Sequence, residues 1–198
     1  MTHWRTKLLL AIGLTVGFCA GYLLLQRHPW RPVTPMKLRA LDQMTPFVPS
    51  AVYIYESLWL LMPVAPWLMR SRADLNRYAA GVIAITLAGF LTFWLFPTAV
   101  PRPALPAEVN GLYRALIRID GPANAFPSLH VAFAIYHVAW CRAVVPKRAG
   151  WFIWPWGMAI VVSTLLTKQH VALDALAGAV LGWVGYRLFA PSADERLT

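Results

Sequence analysis

Apolar residues run along this chain in six blocks, at about 8–26, 51–69, 78–97, 128–145, 151–167 and 171–190, each near the length that crosses a bilayer as a helix. Short polar stretches separate them. The pattern predicts an all-α fold, an integral membrane bundle of six transmembrane helices forming a single membrane domain over residues 1–198. The first block follows Arg5 and Lys7 and imitates a secretory signal. Phe18 spoils both the small-residue pattern ahead of Ala20 and a lipoprotein-type site at Cys19, so the block reads as a membrane helix. Gly13, Gly17 and Gly21, spaced four apart, give it a close-packing face, and Asp174, Gly178 and Gly182 form a similar stripe in the sixth block.

The polar connections set the orientation. Arg70, Arg72 and Arg77 crowd one and Arg142, Lys147 and Arg148 another, each short enough for the positive-inside rule. Six crossings place both termini on that same side, so both are expected in the cytoplasm, in the inner (plasma) membrane of a bacterium. With Arg5, Lys7, Arg187 and Arg196, the inner side carries ten of the 18 Lys and Arg residues. The other eight need a different role. Arg27, Arg31, Lys37 and Arg39 lie in a long first outer loop, where Thr34 followed by Pro35 predicts the start of a short interfacial helix. Its apolar side would be Met36, Leu38, Leu41 and Met44, resting among headgroups. The Pro-rich third connection, about 98–127, holds a second amphipathic candidate, with Leu112, Leu116 and Ile119 opposed to Arg114 and Arg118.

Composition agrees with a membrane setting. The chain is 59% hydrophobic and 13% charged, with ten tryptophans and a mean hydropathy of +0.53, which leaves too little polar surface to cover a soluble globule. A net charge of +10 would suggest nucleic acid in a soluble domain. Between apolar runs, topology and anionic headgroups account for it, and no nucleic-acid partner is expected. Cys19 and Cys141 fall in apolar runs and read as packing residues rather than a disulfide.

Parity brings three polar clusters to the outer face: Arg102 in Pro101-Arg102-Pro103; Ser128 and His130 in Phe126-Pro127-Ser128-Leu129-His130; and Lys168, His170 and Asp174. His170 and Asp174 are four apart, which on a helix stacks them on one face. Ionisable groups at membrane depth are costly and mark function. Two histidines, one carboxylate and two fixed cations suit phosphoryl transfer, whose transition state spreads negative charge over oxygens around phosphorus. Arg102 can grip two oxygens with its planar fork, and Lys168 adds a point charge. Pro127 suits the first turn of the fourth span, where free N–H groups and the Ser128 hydroxyl would face the phosphate. His170 would attack phosphorus while Asp174 holds its reactive tautomer, and His130 would protonate the departing alkoxide.

Rival readings use the same residues. Two His and one Asp can form a facial triad for iron or zinc, but Arg102 and Lys168 would repel a dication. No metal or other cofactor is expected. A serine hydrolase built on Ser128, His170 and Asp174 lacks the small residues of a nucleophile elbow. Taken singly, His130 reads as an interfacial packing residue, Arg102 as a headgroup anchor and Lys168 as a snorkelling side chain. His137, two turns beyond His130, reads as packing or a supporting hydrogen bond, and Glu56 as a group that could orient a substrate hydroxyl. A non-catalytic lipid-binding protein or a small transporter remains as a reading from another class, although the polar residues cluster at one face and no internal repeat is evident.

In order and spacing these residues resemble the type 2 phosphatidic acid phosphatase superfamily, six-span membrane enzymes with a phosphohistidine mechanism. Arg102-Pro103, Pro127-Ser128-Leu129-His130 and Ser163-x6-His170-x3-Asp174 parallel its motifs Lys-x6-Arg-Pro, Pro-Ser-Gly-His and Ser-Arg-x5-His-x3-Asp, over about residues 40–190. The resemblance implies His170 as nucleophile, Asp174 as its partner, His130 as acid, and Arg102 and Ser128 as phosphate ligands. Two family cations are replaced, by Leu95 and Thr164, and Leu129 stands for the second-motif glycine. In this the chain is similar to the branch containing inositol phosphorylceramide synthases. A diester headgroup carries one negative charge where a monoester carries up to two, so fewer cations are needed, and Lys168 is placed to supply one. The expected activity is transfer of a phosphoryl or phospho-headgroup between lipids at the outer face, with a phospholipid or lipid phosphate as substrate. The alternative is release of inorganic phosphate by the same chemistry.

Overall fold

The computed structural model describes residues 4–106 and 108–192, and within them the chain is mostly helical. Arg196 lies outside the described residues. In chain order the elements are α1 (Trp4–Arg27), β1 (Thr34–Pro35), α2 (Ala40–Met44), a 3-10 turn (Pro49–Ala51), α3 (Val52–Glu56), α4 (Leu58–Leu68) and α5 (Arg72–Leu95). There follow β2 (Thr98–Ala99), α6 (Gly111–Ile119), α7 (Leu129–Val144), α8 (Lys147–Leu166) and α9 (Ala172–Phe189). Each of the six apolar blocks is helical. Among the described residues, four stretches are long and apolar enough to cross a membrane: Trp4–Arg27, Pro49–Leu68, Arg72–Leu95 and Ala172–Phe189. Leu129–Val144 and Gly150–Leu166 are shorter apolar helices.

Helix starts follow from residues the sequence supplies. Ser71 Oγ accepts from Asp74 N at 3.1 Å to begin α5, and Asn110 Oδ1 accepts from Tyr113 N at 2.8 Å to begin α6. Ser128 Oγ accepts from Val131 N at 3.2 Å to begin α7, so Pro127 precedes the cap instead of occupying the first turn. The second apolar block is interrupted at Ser57, whose hydroxyl accepts from Trp156 Nε1 at 2.8 Å.

The buried centre is α7, which packs against α9, α8 and α4. Its Phe133, Tyr136 and Trp140 meet Tyr78 and Phe93 of α5 in the main hydrophobic core. His137 is fully buried there, donating from Nδ1 to Phe133 O at 2.6 Å with Tyr78, Phe133 and Tyr136 edge-on around it. That is a packing role. The α9 stripe is a close contact as expected: a Cβ at Gly178 would collide with the Ser128 carbonyl oxygen, and one at Gly182 with that of Ala132. The α1 stripe is not. Gly13 and Gly17 are exposed with nothing within 4 Å of an added Cβ, and of the three only Gly21 is in contact, against Phe90.

The helix ends sort into two sets. At one end Lys7 Nζ donates to Trp67 O and Met69 O at 3.2 and 2.6 Å, and Ser192 N donates to Asp74 Oδ1 at 2.8 Å. At the other, β1 pairs in parallel with β2, Thr34 opposite Thr98, so the first and third connections lie side by side. This pairing corrects the expected helix at Thr34. The N–H groups of Thr34 and Met36 donate to Pro97 O and Ala99 O, and Pro35 sits between them where it has no N–H to offer. The helix begins only at Ala40, where Asp42 Oδ2 accepts from Arg39 N at 2.8 Å. Leu41 and Met44 remain 57% and 80% exposed, as an interfacial helix requires.

Candidate active site

Three chain segments meet at the end where β1 and β2 pair. The α9 start carries the first: His170 Nδ1 lies 3.0 Å from Asp174 Oδ2, while Asp174 Oδ1 accepts from Val171 N at 2.9 Å. Both carboxylate oxygens are thereby engaged, and Asp174 is completely buried. A carboxylate accepts, so His170 carries its proton on Nδ1 and presents the Nε2 lone pair. The i,i+4 spacing read from the sequence becomes a bond because His170 immediately precedes the α9 cap.

The second segment opens α7. Ser128 N donates to Asp174 O at 3.0 Å, which seats the start of α7 directly against α9. The Ser128 hydroxyl is fully buried in its capping role. His130 stacks on Tyr55, with centroids 3.8 Å apart and planes 12° from parallel. Its Nε2 donates to Tyr55 O at 2.9 Å, leaving Nδ1 to exchange a proton.

The third segment contributes Arg102. Its fork donates to Asp120 O at 2.8 Å, Gly121 O at 3.1 Å and Gln169 Oε1 at 2.6 Å, while the buried Nε has no partner among the described residues. Gln169 reaches on to Tyr113, whose hydroxyl donates to Thr167 O at 2.8 Å. Burial raises the Tyr113 phenol above its ordinary range, so it stays protonated and donates.

Lys168 is placed differently from the expectation of a free phosphate ligand. Its ammonium donates to Asp42 O at 2.8 Å and Thr45 O at 2.5 Å, which satisfies the C-terminal carbonyls of α2. One of its three N–H bonds is left for other partners.

Two cavities flank this constellation. The smaller, about 180 Å³, is lined by Arg102, Lys168, Asp42 and His170 among others. The larger, about 360 Å³, is mostly apolar, with His130, His170, Tyr55 and Phe133 in its wall and the carboxylates Glu56 and Asp120 as its acids. Among the described residues named in the two linings, His170 alone belongs to both. Two cations and one acid therefore line one side of His170, and mostly apolar surface with two acids lines the other. Among the described residues no group of three His, Cys, Asp or Glu side chains is placed to hold a metal ion.

Thus Arg102, Ser128, His130, Lys168, His170 and Asp174 all gather at one end. Sequence reasoning missed Asp42, Tyr55, Asp120 and Gln169. Asp42 had a signal, an acid inside an otherwise apolar interfacial segment, whereas a neutral Gln and a Tyr within an aromatic-rich block had none. A family model described as the PAP2 superfamily matches residues 33–188, which include every one of these residues. A search of curated proteins returns no match.

Proposed function

This chain belongs to the PAP2 superfamily, enzymes of the phosphatase and phosphotransferase type that act on lipids, and from that premise we propose that it moves a phosphoryl or phospho-headgroup between lipids through a phosphohistidine on His170. The observation that carries this reading is the position of His170 as the wall shared by a small cation-lined cavity and a large apolar one. An anionic headgroup matches the first and a lipid alcohol the second.

In this mechanism the Nε2 lone pair of His170 attacks phosphorus as the bond to the departing lipid oxygen breaks. His130, protonated at Nδ1, gives that proton to the alkoxide. Asp174 fixes the tautomer of His170 and offsets the positive charge on the phosphorylated ring. An acceptor alcohol then loses its proton to His130 and displaces the N–P bond. Water in the acceptor's place would give the phosphatase outcome. Arg102 and Lys168, which line the smaller cavity, are the phosphate ligands in this reading, while Ser128, buried as the cap of α7, supports the site from beneath and does not touch the phosphate as its sequence position suggested. Because both cations already donate to the protein's own acceptors, the site suits a singly charged diester better than a doubly charged monoester. That favours transfer, and the branch resembling inositol phosphorylceramide synthases.

The full architecture is one membrane domain with all six apolar helices crossing, both termini cytoplasmic and the site on the outer face. α7 has 16 residues and is about 24 Å long, so it crosses when its start lies below the outer surface. His130 then sits at the depth of lipid ester bonds.

The test supplies the purified protein with headgroup-labelled monoester and diester phospholipids and a panel of long-chain alcohols, with His170→Ala alongside. Label in a new phosphodiester lipid supports the transferase, and free labelled phosphate identifies a phosphatase. Turnover retained by His170→Ala overturns the histidine mechanism, and lipid binding without turnover in the native chain identifies a binder.

A further inference from the structure

Asp42 grips the chain on both sides of His170. From α2, 128 positions earlier in the sequence, its Oδ1 accepts from Ala172 N at 2.6 Å and its backbone oxygen accepts from Lys168 Nζ at 2.8 Å. Its other carboxylate oxygen accepts from Arg39 N at 2.8 Å. The side chain is 7% exposed, and a buried carboxylate persists only where its acceptors are used. Here they are used on backbone amides, one of them in the first turn of α9, where negative charge is favoured.

The residue on the other side of His170 is held in an unusual conformation. Lys168 has φ of 54°, in the left-handed region that glycine adopts freely and a lysine does not. Such strain survives only where the surroundings over-determine it. The two carbonyls of α2 that receive the Lys168 ammonium are those surroundings, since they tie the side chain down on the outer side of the turn. The turn is closed from inside by His170 N donating to Thr164 O at 3.2 Å.

We propose that Asp42 is a positioning residue: through Ala172 and Lys168 it clamps the two ends of the five-residue segment carrying His170, and thereby fixes the direction of the Nε2 lone pair. Asp174 sets the rotation of the imidazole, and Asp42 sets where the imidazole stands. The clamp belongs to the outer loop, so the interfacial helix α2 is part of the catalytic apparatus although neither carboxylate oxygen of Asp42 is free to act on substrate. This rests on His170 being the reactive residue, as proposed above.

The experiment compares Asp42→Ala, Asp42→Asn and Lys168→Met with the native chain and with His170→Ala, in detergent micelles, using dioleoyl phosphatidic acid and a headgroup-labelled phosphatidylinositol as probes. Hydrogen exchange over residues 165–178 is followed in the same samples. Asp42→Ala is expected to lose about tenfold to a hundredfold in kcat with KM changed less than about threefold, the cost of a reacting group displaced by about 1 Å. Asp42→Asn keeps one acceptor oxygen, enough for Ala172 N but not also for Arg39 N, and is expected to recover part of the loss. Lys168→Met is expected to lower kcat; a rise in KM alone would make it a simple phosphate ligand and overturn its part in the clamp. Faster exchange at 165–178 in Asp42→Ala, with slower exchange partly restored in Asp42→Asn, is the structural signature. Native exchange there in Asp42→Ala overturns the clamp, whatever the enzyme does to lipid and even if turnover falls for another reason. Full activity in Asp42→Ala beside an inactive His170→Ala overturns the inference alone, whereas an active His170→Ala overturns the reading beneath it.

Discussion

Adding one methyl group at Gly178 should remove most of the turnover while sparing the fold. The new Cβ of Gly178→Ala would collide with the Ser128 carbonyl oxygen and lie 3.1 Å from Ser128 C and 3.2 Å from Ser128 Cβ. Two of these atoms are backbone and cannot swing aside. Carbon contacts are comfortable at about 3.5–4.0 Å, so α7 and α9 must part by about 1 Å at this level. One turn nearer the site, Ser128 N donates to Asp174 O, so the same displacement shifts the His170–Asp174 pair against His130. A displacement of that size costs about a hundredfold in rate, or about 2.7 kcal/mol at about 1.36 kcal/mol per tenfold. The overpacking costs the fold about 1–3 kcal/mol, so the variant should still assemble. The assay is kcat with the lipid that the native chain turns over, with thermal unfolding in the same detergent. Gly13→Ala, whose Cβ meets nothing, serves as the matched control and should be silent. A folded Gly178→Ala with kcat within about twofold of native would refute the argument that this contact sets the site.

Two further outcomes follow from the constellation. Arg102→Lys keeps the charge but loses the planar fork that reaches Asp120 O, Gly121 O and Gln169 Oε1, so KM should rise about tenfold; an unchanged KM would mean that charge alone suffices. The double change Asp120→Asn with Glu56→Gln removes both carboxylates from the larger cavity, so oleate should become a several-fold stronger inhibitor while oleyl alcohol is unaffected, as competition assays can measure.

Much of this was legible in the sequence because membrane helices leave a strong apolar signature and because parity is arithmetic. The grouping of Arg102, His130 and His170 at one end needed only that helices alternate direction. The His170–Asp174 pair was legible from a spacing of four, although not as two residues on one helix face: His170 precedes α9, and Asp174 reaches it by turning back toward the helix start; the α9 contact was legible from small residues spaced four apart. The same rule failed on α1, since a glycine stripe shows that a backbone can approach and says nothing of whether one does. Thr34 and Pro35 were misread because Pro opens helices and also tolerates an edge strand; the partner that decides between them, Thr98 and Ala99, lies more than sixty residues away. Lys168 was legible as a cation near the site. That its ammonium is spent on carbonyls of α2 depends on a long-range docking that no local pattern encodes.

The placement of His170 in the wall between the two cavities bears on how such an enzyme would divide its product. Under the proposed mechanism the second nucleophile, alcohol or water, has to arrive opposite the N–P bond from the larger cavity, where His130 takes its proton, so lipid alcohol and water compete for one place. The ratio of transfer to hydrolysis is then a contest between two supplies that do not mix. One is governed by the mole fraction of alcohol within the bilayer, the other by a water activity that hardly varies. Diluting the enzyme and its vesicles into more buffer should leave that ratio unchanged, and diluting the alcohol with inert lipid should move it.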